Sequence, residues 1–404
     1  MKTNQCPKLR DVDAQPIVRN GRAAILLRDP LQLTDRGVVI PQALAPLLML
    51  CDGTREVGGL RAALALQFGV QIQEDLLVQA ISALDDALLL DNERFAEALQ
   101  RTVEAYRAAP FRAPALAGQS YPERADELAE LLDGYLADVE DVTGPGGVVG
   151  LVSPHIDFAR GGPTYAPVWG GAAVAIREAE LVVILGTDHY GADGALTLTR
   201  QHYATPYGVL PTAQDAVDAV VEAIGEEIAF ADELNHRTEH SIELAAVWLH
   251  HLRGGASCEL LPVLCGSFGH FVETGIDPAD DGVLEALVAA LQRLAEGRHV
   301  VLVAAGDLAH VGPAFGGRPQ DWAERAQLRA ADEALIESIC AGDAVGFFEG
   351  IRSQGDRHNV CGLPPIYLVL RALGPVSGEL VAYEQCPADE DGTSLVSICG
   401  VLLT

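Results

Sequence analysis

The rhythm of apolar and polar positions changes near residue 110. Before it, RNGRAAILLRDP reads as a short strand pair, with Asp29 and Pro30 marking the turn at its end. ALAPLLMLCDG follows as an apolar helix ended by Gly53, and VGGLRAALALQFG as a second helix. EDLLVQAISALDDALLLDN is a third, with apolar residues at i, i+3, i+4 spacing. Three helices around a small strand pair predict a winged-helix-like module over residues 1–110. The stretch AAPFRAPALAGQS reads as a linker. An acidic amphipathic helix is predicted at YPERADELAELLDGYLADVEDV, stopped by TGPGG.

Beyond that helix, apolar runs alternate with helical patterns. VVGLVS, LVVILG, ELLPVLCG and VVLVAAG have the continuous Val/Ile/Leu character of strands buried on both faces. GGAAVAIREA, AQDAVDAVVEAIGEE, SIELAAVWLHHL, VLEALVAALQRLAEG, ERAQLRAADEALIESICAG and PPIYLVLRAL have helical spacing. The fold class predicted for residues 111–404 is α/β, a central sheet covered by helices.

Composition narrows the functional classes. With 49% apolar and 21% charged residues the chain is an ordinary globular one. A formal charge of −30 argues against nucleic acid or an anionic membrane surface as partner, both of which require a basic footprint. The third N-terminal helix carries Glu74, Asp75, Asp85 and Asp86, which speaks against a DNA-recognition role for that module. No apolar run approaches the ~20 residues that span a bilayer. MKTNQCPKLRDVDAQP lacks a signal-peptide core, so a cytoplasmic location is expected. The eight cysteines are scattered without CxxC spacing and read as free thiols.

Five short segments carry the candidate chemistry. They are VVGLVSPHID with His155 and Asp157, LVVILGTDHY with His189 and Tyr190, and NHRTEHSIE with His236, Glu239, His240 and Ser241. The others are VVLVAAGDLAH with Asp307 and His310, and NVCGLPP with Cys361. Loops leaving the carboxyl ends of strands line the ligand crevice of open α/β sheets, and imidazole, thiolate and carboxylate bind borderline metals and move protons. If Cys361 joins His155 and His189, three ligands result with open positions for substrate or water. A thiolate favours Fe(II), Cu or Zn over Mg or Ca. His236 and His240 would share a face on a helix, or be aimed from a loop if the helix starts near Glu239. Asp307 and His310 are expected at i, i+3 on a first helical turn, suited to a general base or proton shuttle. The rival chemistry is a nucleophilic Cys361 activated by His310 or His240. Tyr165, Trp169, Tyr190 and Tyr207 are candidate pocket aromatics.

In this order the segments resemble the Memo family, the B component of the AmmeMemoRadiSam system. The resemblance begins at RAPALAGQSYPERADELAELLDGYL and continues through VSPHIDFARGGPTY, VVILGTDHYG, TPYGVLPTAQDAV, TEHSIEL, LLPVLCGSF, AAGDLAHVG and CGLPPIYLVLRAL. It implies a fold similar to class III extradiol dioxygenases, with metal ligands at His155, His189 and Cys361. It also implies that Asp307 and His310 line the same pocket, His310 where such dioxygenases place their proton-transfer histidine, with Glu239, His240 and Ser241 beside them. His310, Asp307, Glu239 and His240 are therefore the expected catalytic residues, and Asp157, Ser241 and Tyr190 are expected to line the substrate pocket. Many relatives read PHAGY where this chain has PHIDF, and the dioxygenases' third ligand is usually glutamate rather than cysteine. The N-terminal hundred residues more loosely resemble PqqD-like winged-helix modules. The expected function is a metal-dependent, non-haem-iron dioxygenase-like redox enzyme acting on a small molecule or peptide beside a radical SAM partner. A non-catalytic iron or copper protein, and a metal-free Cys361 hydrolase or transferase, are the alternatives.

Overall fold

The protein's structure, a computed structural model, describes residues 6–139 and 144–404. Glu140 to Thr143, into which the acidic helix was expected to run, and the first five residues lie outside the described residues. The chain gathers into two compact units, one ending at Ala108 and one running Ala109–Thr404.

In the first unit β1 (Asp13–Arg19), β2 (Arg22–Arg28) and β3 (Val38–Pro41) form an antiparallel sheet in that order. Asn20 and Gly21 join β1 to β2 with φ of 53° and 72°, the left-handed pair that a two-residue hairpin turn requires. The helices are α1 (Ala45–Leu50), α2 (Val57–Phe68), α3 (Glu74–Asp86) and α4 (Glu93–Ala108). Leu27, Ile40, Leu47, Leu60, Leu64, Leu77, Ile81 and Leu84 make one core. The strand pair and three helices read from the sequence are present, with β3 and α4 in addition.

The second unit opens with α5 (Ala125–Ala137), β4 (Gly150–Ser153), α6 (Phe158–Glu178), β5 (Leu181–Thr187) and β6 (Leu196–Leu198). Next come β7 (Tyr203–Thr205), β8 (Gly208–Leu210), α7 (Gln214–Ile224), α8 (Glu226–Ala229) and α9 (Ser241–Leu252). Then follow β9 (Glu259–Cys265), α10 (Gly269–Thr274), α11 (Gly282–Ala295), β10 (Val300–Ala305) and β11 (His310–Val311). The chain finishes with α12 (Trp322–Cys340), α13 (Ala344–Arg352), α14 (Leu363–Leu373), β12 (Gly378–Pro387) and β13 (Leu395–Leu403).

The main sheet runs β11-β13-β4-β10-β5-β9-β6, with β12 paired to β13. Its centre, β4, β10, β5 and β9, is parallel; β13, β11, β12 and β6 pair antiparallel. Successive side chains of a strand point to opposite faces. Val182 and Ile184 therefore enter a core with α5, α6 and α9, whereas Leu181, Val183 and Leu185 enter one with α7, α11, α13 and α14. The expected α/β class holds, with a sheet that is mixed rather than all parallel.

Register decides what meets at the carboxyl edge. Ser153 of β4 lies opposite Ala305 of β10, and Ala305 opposite Gly186 of β5. The loops that follow begin level with one another, so His155, Asp307 and His189 emerge side by side. The DLAH segment departs from expectation: residues 306–309 form no helical turn, and His310 opens β11 against Val396 of β13. The reason is that the neighbouring strand takes up the backbone of this segment, with Leu308 N donating to Ser397 O and Ser397 N to Ala309 O. Among the described residues no helix is long and apolar enough to cross a membrane.

Candidate metal centre

Each histidine of the site is set by a different backbone device. Ser153 closes β4, Pro154 turns the chain out, and the His155 N–H donates to Asp307 Oδ1 at 2.8 Å. The ring of His155 is buried, with Nδ1 at 3.1 Å from the Ala305 carbonyl. An acceptor there fixes the proton on Nδ1 and leaves Nε2 to face the cleft. His189 follows β5 by two residues, and its Nδ1 lies 3.0 Å from Glu239 Oε2. His240 precedes α9, with Nδ1 3.0 Å from Glu239 Oε1.

Glu239 is the hub of this arrangement. Its carboxylate, 1% exposed, also accepts the backbone N–H groups of His189 at 3.0 Å, His240 at 2.7 Å and Ser241 at 3.1 Å. One buried anion thus orients two imidazoles and caps the start of α9. The rings of His189 and His240 stack with centroids 4.8 Å apart, and His155 stands edge-on to both at 5.1 and 5.2 Å. One ligand nitrogen from each of the three lies within 4.8 Å of the others, so the triad can hold a metal ion.

Cys361 completes the cluster. Its carbonyl accepts the Thr187 hydroxyl, and Gly362 N donates to the Asp307 carbonyl at 2.8 Å, which ties the CGLPP turn to the ends of β5 and β10. Cys361 Sγ sits 3.3 Å from His155 Nε2. Gly306 makes this junction possible, because a Cβ there would meet Gly362 Cα at 2.5 Å.

The electrostatics favour positive charge at the centre. Burial opposes ionisation of Cys361, yet the nearby His155 and His310, with hydrogen bonds to His155 and His189, hold its thiol well below the ordinary range. Burial likewise opposes a charged His155, but Cys361 and Asp307 push it up to about 9. His189 is raised well above its usual value by Cys361 and Glu239 against the pull of burial. Glu239 is held well below its own, burial being outweighed by His189 and His240. A cluster of thiolate and carboxylates that draws protons onto imidazoles is one that a cation can occupy in their place. The donor set of imidazole nitrogens and thiolate suits a borderline metal.

The triad opens into a cleft of about 500 Å³. Leu116, Ile156, Leu244, Phe315 and Val396 form apolar wall, and His310, Asp307, Asp157 and Arg160 contribute polar groups. A larger cavity of about 940 Å³ lies at the opposite ends of β4 and β10, lined by Val148, Val174, Arg298 and His299 among others. Among the described residues it holds no converging set of metal-binding donors, so size does not mark the chemistry here.

The sequence-derived candidates divide accordingly. His155, His189, His240, Glu239, Asp307 and Cys361 come together, and His310 joins them on the cleft wall with its Nδ1 buried and unpartnered. Asp157 lines the cleft while capping α6 through Arg160 N, and its carboxylate grips the Arg160 side chain. Ser241 is fully buried and donates its hydroxyl to the Thr187 carbonyl, which makes it a brace of the site. Tyr190 is 55% exposed and lies outside the cleft lining. His236 leaves the group: a 3-10 turn over Glu233–Arg237 separates it from α9, and it packs between Tyr203 OH at 2.6 Å and the Thr197 carbonyl at 2.9 Å. Tyr165 and Trp169 are core residues of α6. Sequence reasoning passed over Leu116, Arg160 and Phe315, which lie in or near the quoted segments, and Val396, which lies in none of them; none of the four carries a local signal of its own.

Three relatives extend the picture. A MEMO1 family protein of Aquifex aeolicus is 26% identical over 403 residues, 98% of this chain and 99% of its own length, so the similarity runs through the N-terminal unit. One from Methanopyrus kandleri is 31% identical, covering 67% of this chain and 91% of its own. One from Nitrosopumilus maritimus is 26% identical over 68% and 92%. The family model for Memo-like proteins matches residues 112–402, the stretch that supplies the sheet, the three imidazoles and Cys361, and this chain belongs to the Memo-like family.

Proposed function

We propose that this protein is a metal-dependent, dioxygenase-like redox enzyme using Fe(II), with a compact organic molecule or a peptide end as substrate. The observation that carries the reading is the convergence of three oriented imidazoles on an open cleft, with an acidified cysteine behind them 3.3 Å from His155. His155, His189 and Cys361 would hold the ion, and His240 faces the same space. Fe(II) accepts more ligands than tetrahedral zinc and keeps open positions even with four protein donors. Bound there, it supplies one-electron redox chemistry and Lewis acidity that no side chain offers.

The chain's own groups do the rest. Leu116, Leu244, Phe315 and Val396 pack an apolar body and exclude water from the floor. His310, which stands on the cleft wall, would take or give a substrate proton. Asp307 holds the His155 backbone, and the Asp157–Arg160 pair faces the cleft with one charge of each sign. Protein purified without oxygen and loaded with Fe(II) is expected to consume oxygen with a substrate from a screen of small aromatic and peptide compounds. His189→Ala should abolish that consumption. Tight metal binding with no turnover under any substrate would instead favour a metal-handling role, which a full complement of four soft or borderline donors also supports.

A further inference from the structure

The residue that ties this metal centre to the rest of the fold lies far from it in sequence. Arg112 is only 1% exposed, and its ion-pair partner Glu243 is buried to the same degree. Nε donates to the His236 carbonyl at 2.8 Å, Nη2 to the Glu239 carbonyl at 2.9 Å, and Nη1 to the Glu243 carboxylate. Those acceptors are the two ends of the 236–240 turn and the first turn of α9. A planar guanidinium can hold three such acceptors in one fixed fork, which a lysine cannot.

Glu243 in turn accepts the N–H groups of Ala115 and Leu116, both at 2.8 Å, and the Tyr121 hydroxyl at 2.5 Å. The stretch that composition marked as a linker is thus strapped to α9, and Leu116 and Ser120 from the strap line the metal cleft. Two of the Arg112 contacts hold the turn that carries Glu239 and His240, and the third ties it through Glu243 to the strap.

Resting on the metal-centre reading above, we infer that Arg112 is a positioning residue for the metal site. By fixing the backbone of the 236–240 turn, it sets the Glu239 carboxylate and therefore the rings of His189 and His240. Outer partners of metal-binding histidines typically contribute about 10–100-fold in affinity. Arg112 acts one step further out, so an effect near the lower end, ~10-fold, is expected when its fork is lost.

The test uses the full chain, Co(II) as the probe, and four proteins: wild type, Arg112→Gln, Arg112→Lys and Leu335→Ala. Arg112→Lys keeps the charge opposite Glu243 but cannot span both carbonyls. Leu335→Ala opens a void in the core on the far face of the sheet and is the control for a merely less stable fold. Three quantities are read: the thermal midpoint, the Co(II) affinity with its visible spectrum, and the hydrogen-bonded Nδ1 protons of His189 and His240 in the metal-free protein.

Both Arg112 variants should bind Co(II) ~10-fold more weakly, with an altered spectrum and with those two proton signals shifted or lost. Leu335→Ala should lower the midpoint and leave affinity, spectrum and protons as in wild type. Wild-type affinity in Arg112→Lys, or losses that merely follow the midpoint as in Leu335→Ala, would overturn the positioning role. If the wild type itself takes up no Co(II), the metal reading fails, and the histidine protons alone decide: unchanged signals in the Arg112 variants then refute the inference. Should Arg112→Gln fail to fold, the lysine variant carries the test.

Discussion

Replacing Glu239 with glutamine preserves shape while removing the charge and turning one acceptor oxygen into a donor. The carboxylate receives backbone N–H groups of His189, His240 and Ser241 and faces the Nδ1 atoms of His189 and His240. Oε1 serves His240 and Ser241, Oε2 serves the His189 backbone, and the His189 ring lies 3.1 and 3.0 Å from the two oxygens. If the glutamine oxygen stays with His240, its NH₂ group meets two donors from His189. The backbone N–H of His189 then loses its acceptor, and its ring either crowds onto the one remaining oxygen, 3.1 Å away and already shared by His240 and Ser241, or moves its proton to Nε2, the nitrogen that faces the cleft. Hydrogen bonds to a charged group are worth about 1.5–3 kcal/mol each against about 1 for neutral ones, and an orphaned buried donor costs a further 1–3 kcal/mol. Some loss is recovered by rotation of the amide, which leaves an expected destabilisation of ~3 kcal/mol. Metal affinity should fall by about 10–100-fold, because the His189 and His240 rings lose the charged acceptor that fixes their orientation and tautomer. Urea unfolding of the metal-free protein and competition against a chelator of known strength measure the two effects. Affinity within twofold of wild type in a folded Glu239→Gln protein would refute the claim that this carboxylate orients the triad.

Three further outcomes follow from the geometry. With metal removed, alkylation of Cys361 followed by peptide mass should vary little between pH 6 and 8, whereas an ordinary thiol speeds up about tenfold per unit there; a tenfold slope at Cys361 would contradict its depressed pKa. Asp332 is buried beneath Tyr383, and burial raises it to about 6. A carboxyl raised in the folded state favours folding below its ordinary value of 3.8 and loses that advantage as pH rises through 6. Asp332→Asn should therefore stabilise the protein by a margin that grows with pH towards about 3 kcal/mol at pH 8, and a pH-independent effect in urea titrations would count against this. Gly306→Ala forces a methyl into Gly362 Cα, so the DLAH segment and the Cys361 turn must part. A loss of several kcal/mol, of the order of ~3, together with loss of metal binding is expected, and wild-type metal uptake would show that the junction is looser than it looks.

Much of this was legible in the chain because strand ends are. His155 and His189 stand two residues past the ends of β4 and β5, strands marked by Val/Ile/Leu runs, and parallel register carries such positions to one edge whatever the loops do. Cys361 announced itself through the Gly and Pro around it. His240 could not be told from His236 by spacing, since a helix would aim both alike; the 3-10 turn that separates them arises from packing of His236 against Tyr203 and Thr197. The DLAH segment misled for a similar reason: its local spacing suits a helical turn, and only pairing with β13, nearly ninety residues on, makes it extended. Arg112 and Glu243 lie 131 residues apart, and nothing in either neighbourhood signals that one will be buried against the other. The linker reading of that stretch followed composition, which says nothing about a backbone held by a distant carboxylate.

The central claim is that His155, His189, His240 and Cys361 form a metal centre, and elemental analysis tests it most directly. The protein would be prepared without oxygen and without metal-binding tags, wild type beside His189→Ala and Cys361→Ala. The account predicts about one equivalent of iron per wild-type chain, reduced or lost in both variants. A wild-type chain that retains no metal after reconstitution with Fe(II), Cu(I) and Zn(II) in turn would contradict it.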